Sequence, residues 1–539
     1  MNLLTTFFDK PILLGAVIVI PLVMFILNLL FKQRLKGSVK DSMTAAFCLY
    51  LMFMLTDDFG VLLSKFSQII AVKLDIVSSY TDISQNVAMT IAQGSKSGFY
   101  ILPFAVLLNL VLLFVGVIRT INLDIWSMWI SAFAGGMAEY ITGKTSYGLI
   151  VTGVSVIATL VFGDYIHSKV EKYCNLPAAT FTNGVALSFA PIGGVINGLI
   201  SRLPKKVKKD FTLGKLNRKF GFWGNPSFLT TVLVFLLVLI CSENFVISIQ
   251  MAFSMGAYVF ILPRVMLFLS DSLTDLGKCL DDFSSEKLGL IGNLNIALPV
   301  YCGLGNPTAL FLSVLCVPLM LFISKIFNFT TYVPFENIMY LPYIMVVLVM
   351  VCRGKIIRTI FSATVSYFTL GFVASNMAGV VTKQLSIINP EKYAGNGIFT
   401  TFYGVTPISF ITSHVVTLGA SGIAILILLV LLLLMGNYNR LTGSVKKYVK
   451  RVKEMRPSNI EELLKEKKEE KNKLKQEVME KVEQKQRRRA ENKALNILES
   501  SSDSESEETK DNTEDLEVIK QEKLADDRKN TNYEEFEDN

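Results

Sequence analysis

Histidine is nearly absent from this sequence: among 539 residues, only His167 and His414 are histidine. A lone histidine is more often a structural residue than a catalytic one. The sequence also contains no P-loop, nucleophile elbow or HExxH pattern. We therefore expect no ATP-driven transport within this polypeptide, and no bound cofactor.

Cysteine is sparse, is never arranged as CxxC, and mostly lies inside apolar runs. This pattern argues against a disulfide framework or a zinc site and favours small buried side chains. Charged residues are also few, at 18% of the chain with a net charge of +8. Most of the basic excess lies in loops between apolar runs, so we expect no nucleic-acid partner. The seven cysteines are Cys48, Cys174, Cys241, Cys279, Cys302, Cys316 and Cys352.

Long hydrophobic runs dominate the rest of the sequence. Apolar residues make up 51% of the chain and the mean hydropathy is +0.45, values typical of a polytopic membrane protein. We predict an all-α fold with about eleven transmembrane helices. The first run has the length of a span and no cleavage pattern, so it is not a signal peptide. The predicted spans are residues 11–31, 43–63, 98–118, 125–142, 147–166, 227–246, 249–268, 308–328, 337–352, 357–380 and 418–436.

Three further segments, residues 178–203, 288–306 and 399–416, are apolar but interrupted by glycine, proline and polar residues. Broken backbone at membrane depth needs polar partners that lipid does not provide. We predict that these segments are re-entrant hairpins that enclose a small polar chamber. The most interrupted one contains Gly289, Gly292, Asn293, Asn295, Pro299, Gly303, Gly305 and Asn306.

Basic residues cluster in four loops: after the first span, before the sixth, after the ninth and after the last. The positive-inside rule places all four loops in the cytoplasm. With eleven crossings, the N-terminus is then outside and the C-terminal tail is cytoplasmic. This arrangement requires that the three interrupted segments do not cross the membrane.

Composition divides the chain into three parts. Residues 1–439 form the predicted membrane permease domain. Residues 440–498 carry opposite charges at helical spacing, which favours a charged cytoplasmic helix. Residues 499–539 are strongly acidic, a composition typical of a disordered tail.

Four polar residues stand beside glycine or proline at apparent helix starts: Asn183, Asn225, Asn306 and Thr406. Asn or Thr at such a position caps free backbone N–H groups, and proline at the first helical position loses no hydrogen bond. The same side chains, held in a re-entrant element, could instead bind a hydroxylated ligand. Both interpretations are open from the sequence, and capping is the stronger one for Asn225.

Carboxylates within apolar runs are a second group of candidates. Glu139 lies deepest, and we predict a functional role for it, with charge pairing to a nearby Lys or Arg as the alternative. Asp124 and Asp164 stand near the predicted ends of spans. There we expect an interfacial role.

Several stretches resemble the membrane subunit, enzyme IIC, of galactitol-type phosphotransferase systems, a group that belongs with the ascorbate permeases. The resemblance covers roughly residues 10–436 in order. The stretches are LDIWSMW (123–129), FAGGMAEYITG (133–143), FGDYI (162–166), APIGGVINGLISRLP (190–204), RKFGFWGNP (218–226), LFLSVLCVPL (310–319), VPFENI (333–338) and CRGKIIRTIFS (352–362).

The resemblance implies a dimeric, elevator-type permease in the bacterial inner membrane that carries a polyol or sugar. It also implies a separate enzyme IIB, charged by enzyme IIA, that phosphorylates the substrate, so no catalytic residue is expected on this chain. We expect substrate contacts from Glu139, Asn183, Asn306 and Thr406, with Asn225 as a second choice. Those galactitol permeases have His where this chain has Glu139, Asn183 and Asn306, and Glu where it has Asn225.

Two other functions compete with this hypothesis. A transporter that kept the fold but lost phosphotransfer would be ion-coupled or uncoupled, with Glu139 as its proton or sodium site. A membrane scaffold would use the charged tail to recruit partners.

Overall fold

The structure is a computed structural model that describes residues 15–30, 35–203, 210–286, 294–327 and 332–454. The chain divides into two units, Met1–Lys447 and Tyr448–Asn539, and the first unit contains every feature discussed below. The predictions for residues 287–293 and 455–539, which include most of the charged tail, lie outside the described residues.

Helices form most of the described chain, which confirms the predicted all-α class of membrane protein. A π-helical turn, Gly15–Val19, precedes the first α-helix, and 3₁₀ segments occupy Gly221–Gly224 and Val300–Gly305. The α-helices are α1 (Ile20–Leu30), α2 (Leu35–Lys73), α3 (Gln85–Gly94), α4 (Lys96–Phe99), α5 (Ile101–Phe114), α6 (Ile125–Thr142), α7 (Thr145–Cys174), α8 (Gly184–Leu187), α9 (Ala190–Arg202), α10 (Leu213–Phe220), α11 (Pro226–Ser242), α12 (Phe245–Glu286), α13 (Pro307–Ile326), α14 (Tyr340–Val351), α15 (Ile356–Ile388), α16 (Pro390–Tyr393), α17 (Pro407–Val416) and α18 (Ala420–Glu454).

Seven helical segments of the described chain are long and apolar enough to cross a membrane. Six coincide with predicted spans, namely α2, α7, α12, α13, α15 and α18. The other five predicted spans correspond to shorter or less apolar helices, or, for α11, to a pair bent by 65° with α10.

The seventh segment, Gly184–Arg202, differs from the sequence prediction because it lies in a stretch that we expected not to cross. It combines α8 and α9. Phe189 between them keeps right-handed helical dihedral angles, and Pro191 stands in the first turn of α9, where no hydrogen bond is lost. Its glycine and proline residues therefore do not end the helical path.

Five short strands, which the sequence did not predict, interrupt the helical chain. β1 (Thr81–Asp82) pairs in parallel with β5 (Phe399–Thr400). β2 (Thr120–Asn122) and β3 (Ala179–Phe181) both pair in parallel with β4 (Asn295–Leu298), which lies between them. The strands satisfy backbone groups that a broken helix would otherwise leave unpaired inside the protein.

A helix with a side-chain cap begins soon after each strand. Asp124 caps α6, Asn183 caps α8, and Asn306 caps α13 by accepting hydrogen bonds from first-turn N–H groups. Thr406 and Ser409 form a reciprocal capping box at the start of α17. Strand and cap together let the chain change from extended to helical without unpaired donors. The predicted interruption is present in residues 399–416 and in the described part of residues 288–306, whereas residues 178–203 pass from β3 and the Asn183 cap into the continuous helical segment Gly184–Arg202.

The core surrounds α14, in which all twelve residues are buried. A helix that is apolar on every side and buried on every side needs protein around it, and α7, α8, α13 and α15 pack against it. Separately, α2, α11 and α12 pack on one another. By contrast, α18 exposes most of its apolar side chains, as expected for a helix that faces lipid.

Gly404 stands at a close approach in the loop before α17. Its φ is +80°, and a Cβ atom there would lie 2.5 Å from Cδ1 of the buried Phe133. We expect Gly404→Ala to lower the free energy of unfolding by about 3 kcal/mol, from left-handed strain and overpacking together. Thermal unfolding of the purified protein in detergent measures this loss. Gly379→Ala in α15 is the matched control, because a Cβ there meets no atom within 4 Å and alanine favours a helix by up to ~1 kcal/mol. A Gly404→Ala protein as stable as this control would contradict the assignment.

Candidate substrate chamber

The carboxyl ends of β2, β3 and β4 open onto a small cavity of about 250 Å³, which we call the chamber. Parallel strands bring the residues that follow them to one edge of a sheet, where ligands of parallel sheets bind. Asp124 follows β2, Asn183 follows β3 and Pro299 follows β4. The chamber is lined by Phe53, Thr56, Asp57, Ser84, Gln85, Asn86, Asp124, Trp126, Asn183, Pro299, Val300, Tyr301, Glu336, Asn337, Met339, Tyr340 and Tyr343.

Three lining residues carry a buried polar atom with no hydrogen-bond partner in the described chain. These atoms are Oδ2 of Asp124, Oη of Tyr301 and Oδ1 of Asn337. Buried polar groups are normally paired, and an unpaired one costs about 1–3 kcal/mol. Three such atoms on one cavity provide two acceptors and one hydroxyl for a ligand that carries several hydroxyl groups.

The charged residues that line the chamber are all acidic. Asp57, Asp124 and Glu336 line it, whereas none of its lining residues is Lys, Arg or His. Carboxylates repel an anionic ligand and accept hydrogen bonds from hydroxyl groups. The aromatic rings of Trp126 and Tyr340 add apolar faces. The lining therefore suits a neutral hydroxylated solute better than an acid or a sugar phosphate.

Asp82, which does not line the chamber, holds part of its wall. Its carboxylate accepts hydrogen bonds from Tyr332 Oη at 2.6 Å, from the backbone N–H of Glu336 at 2.9 Å, and from both the backbone N–H (3.0 Å) and Nδ2 (2.8 Å) of Asn337. Nδ2 of Asn337 also donates to the Ile83 carbonyl at 2.6 Å. These bonds orient the Asn337 amide so that its Oδ1 is the atom left for a ligand.

A second cavity, of about 440 Å³, lies at the starts of α11 and α13. Asn225 and Asn306, the caps of these two helices, both line it together with Arg264. Nδ2 of Asn306 also donates to the Tyr173 carbonyl at 2.6 Å. The 3₁₀ segment Val300–Gly305 begins at the chamber and ends at this second cavity, so the two cavities are neighbours along the chain.

The five residues predicted from the sequence are not brought together. Asn183 lines the chamber, Asn225 and Asn306 line the second cavity, and Glu139 and Thr406 line neither. Glu139 accepts hydrogen bonds from the Ser97 N–H at 2.9 Å and from Thr145 Oγ1 at 2.9 Å. No Lys or Arg side chain is recorded as its ion-pair partner within the described residues.

Asp124 and Asp164 are more deeply buried than the sequence predicted. Asp124 is 1% exposed and lines the chamber, although its position suggested an interfacial residue. Asp164 is fully buried and accepts hydrogen bonds from Arg119 N, Thr120 Oγ1 and Asn437 Nδ2. Neither position could be read from hydropathy, because each carboxylate is enclosed by segments distant in sequence.

Tyr301 and Asn337 were not candidates at all. Asn337 lies within the quoted stretch VPFENI, but a single amide beside an apolar run does not indicate a binding residue.

Three features together define a multi-pass membrane permease for a small solute. They are apolar helices of span length, helices interrupted by buried strands, and an acidic chamber with unpaired polar groups. Comparison with known proteins agrees with this class. Residues 11–391 match the EIIC-GAT family, described as the PTS system sugar-specific permease component. Because the match covers most of the chain, the protein belongs to this family: it is the membrane permease of a phosphoenolpyruvate-dependent sugar phosphotransferase system. It accordingly works with IIA and IIB components and a sugar or polyol substrate.

Curated relatives are distant but extensive in coverage. The chain is 20% identical over 419 residues to a putative permease IIC component of Escherichia coli strain K12, which covers 78% of this chain and 95% of the relative. It is 25% identical over 328 residues to the galactitol-specific EIIC component of the same strain, which covers 60% of this chain and 71% of the relative. The equivalent component of E. coli O157:H7 gives the same values. These matches favour the phosphotransferase hypothesis over an ion-coupled transporter.

Proposed function

We propose that this permease carries galactitol or a closely related polyol, and that the chamber is its binding site. The observation that carries the proposal is a set of three unpaired, buried polar atoms on Asp124, Tyr301 and Asn337, three residues that line one small cavity. A neutral polyol offers hydroxyl groups that both donate and accept, so it satisfies all three. The similarity to galactitol-specific components supports the same substrate class.

Asn183 belongs to this proposed site. Its Oδ1 caps α8 by accepting a hydrogen bond from the Ala186 N–H at 3.1 Å. The amide Nδ2, which the cap does not use, is the group that we assign to a substrate hydroxyl. We assign Asn306 and Asn225 to a second position of the substrate, in the neighbouring cavity. Glu139 and Thr406, which line neither cavity, support the substrate site indirectly, through the helix ends that they hold.

Phosphoryl transfer is assigned to the separate IIB component, while this chain positions the acceptor hydroxyl. Orientation of the reacting groups is the contribution that a binding site alone makes to such a transfer.

We further propose a homodimer that works as an elevator in the bacterial inner membrane, with the N-terminus outside and the C-terminal tail in the cytoplasm. The basic loops favour this sidedness, which requires that the span-length segment Gly184–Arg202 does not cross the membrane. A cysteine introduced at the exposed Arg353 should react with impermeant reagents only from the cytoplasmic side, and reaction from outside would reverse the topology.

Transport in proteoliposomes tests the function. Purified protein is reconstituted with radiolabelled galactitol outside, and with phosphoenolpyruvate, the general phosphotransferase components, IIA and IIB inside. We expect galactitol phosphate to accumulate only when the complete phosphoryl chain is present, and labelled ascorbate to remain outside. Accumulation of unmodified galactitol driven by a proton or sodium gradient alone would contradict the proposal.

A further inference from the structure

A third cavity, which shares no lining residue with the chamber, is lined by residues of α7, α9, α14 and α18. It has a volume of about 380 Å³, and we call it the slot. Most of its lining is apolar, and polar groups occur only near one end. Its lining residues include Tyr165, Gly194, Val351, Gly436, Asn437 and Arg440.

Positive charge gathers at the polar end of the slot. Lys169 Nζ lies 3.8 Å from the centre of the Tyr165 ring, and the Arg440 guanidinium lies 5.8 Å from the same ring. Arg353, two residues after a slot residue, and Arg440 are both close enough to Lys169 to repel it. Lys169 and Arg440 are partly buried, and like charges held together in such positions cost free energy unless an anion lies between them.

The acidic group of this region does not balance these cations. Asp164 attracts Arg440, but its carboxylate already accepts three hydrogen bonds from Arg119 N, Thr120 Oγ1 and Asn437 Nδ2. Arg440 itself donates to Oδ1 of Asn437. Among the described residues, Lys169, Arg440 and Arg353 outnumber the single carboxylate of Asp164 at this end of the slot.

We propose that the slot is a binding site for one anionic phospholipid. The slot takes an acyl chain, and Lys169, Arg440 and Arg353 take the phosphate of the headgroup. A phospholipid has both an apolar body and an anionic end. Free phosphate has no apolar part that could fill the slot. Basic residues at this kind of position between membrane helices bind anionic headgroups through the same attraction.

Two glycines keep the slot open. Both Gly194 and Gly436 line the slot, and a Cβ atom at either would meet no atom within 4 Å, so leucine there adds side-chain volume beside the slot without a clash of its Cβ. Gly379 in α15 has the same open surroundings away from the slot and is the matched control.

Native mass spectrometry of the full-length protein tests the proposal, with dioleoyl phosphatidylglycerol and dioleoyl phosphatidylcholine as probes. We expect one phosphatidylglycerol per protomer to remain bound under conditions that remove phosphatidylcholine. Gly436→Leu should abolish this retention, while Gly379→Leu should keep it. Arg440→Gln should weaken phosphatidylglycerol binding about fivefold, and Arg440→Gln with Lys169→Gln should weaken it about twentyfold, down to the level of phosphatidylcholine.

Three results would overturn the assignment. These are equal retention of the two lipids by the unmodified protein, undiminished phosphatidylglycerol binding by Gly436→Leu, and a change of oligomeric mass in that variant without any change in lipid, which would give the slot to a second copy of the chain. Gly194→Leu repeats the experiment from α9 if the Gly436 variant does not elute as a folded protein.

Discussion

Replacement of Asp124 by asparagine should reduce phosphoenolpyruvate-dependent accumulation of galactitol phosphate by about 10- to 150-fold. Oδ1 of Asp124 caps α6 by accepting a hydrogen bond from the Trp126 N–H at 3.1 Å, and Oδ2 is the unpaired acceptor in the chamber. Asparagine caps a helix as well as aspartate does, so the fold should remain. The amide replaces a charged acceptor by a donor or by a weaker neutral acceptor, and a lost charge-assisted hydrogen bond costs about 1.5–3 kcal/mol.

The measurement for Asp124→Asn is uptake in proteoliposomes together with binding of galactitol in the absence of IIB. Loss of binding would place the defect in the chamber, whereas loss of phosphorylation alone would place it in the partner step. Asp58→Asn is the matched control, since Asp58 is an exposed carboxylate on α2 that does not line the chamber. If Asp124→Asn transported as well as Asp58→Asn, the chamber would not be the substrate site.

Replacement of Asp82 by alanine should be the most destabilising of the substitutions considered. It leaves four hydrogen-bond donors without an acceptor, on Tyr332, Glu336 and Asn337. Tyr332 and Asn337 are buried residues, and each of their donors costs about 1–3 kcal/mol when unpaired, so we expect a total loss on the order of 4 kcal/mol. This corresponds to a fall of about 4 °C in the midpoint of thermal unfolding for a unit of this size.

A graded series separates this network from a general effect of mutation. Tyr332→Phe removes one donor from Asp82 and should cost about 1.5 kcal/mol. Asp271→Ala, at an exposed position on α12, should change stability by less than about 0.5 kcal/mol. Because Asp82 also orients the Asn337 amide, Tyr332→Phe should raise KM for galactitol. Equal unfolding midpoints for Asp82→Ala and Asp271→Ala would show that the hydrogen bonds of Asp82 do not stabilise the chamber wall.

Local sequence patterns predicted the parts of the structure that depend on neighbouring residues. Asn306 before Pro307 is a capping signature, and the structure has Asn306 accepting hydrogen bonds from the Thr308 and Ala309 N–H groups. The interruption of residues 399–416 was equally visible, because glycine and proline act on the backbone within a few residues. The same signals misled the prediction for residues 178–203, where Gly184–Arg202 stays helical.

The short strands carried no such signal. Two- and three-residue strands are too short to show alternation, and β2 pairs with β4 across more than a hundred residues of chain. The chamber depends on this pairing, since it brings the residues after β2 and β3 together with Pro299. For the same reason Asp124 was assigned to a span end, and Glu139, which lies deeper in its apolar run, ranked above it.

The sequence by itself determined the membrane class, the positions of most helices, the capped helix starts and the resemblance to phosphotransferase permeases. All of these follow from hydropathy and from short-range backbone chemistry. Only the tertiary structure decided which polar residues share a cavity, because Asp124, Tyr301 and Asn337 meet through parallel pairing and burial between distant segments. Hydropathy reports how far a side chain is expected to lie from water, and it contains no information about which other side chains lie beside it.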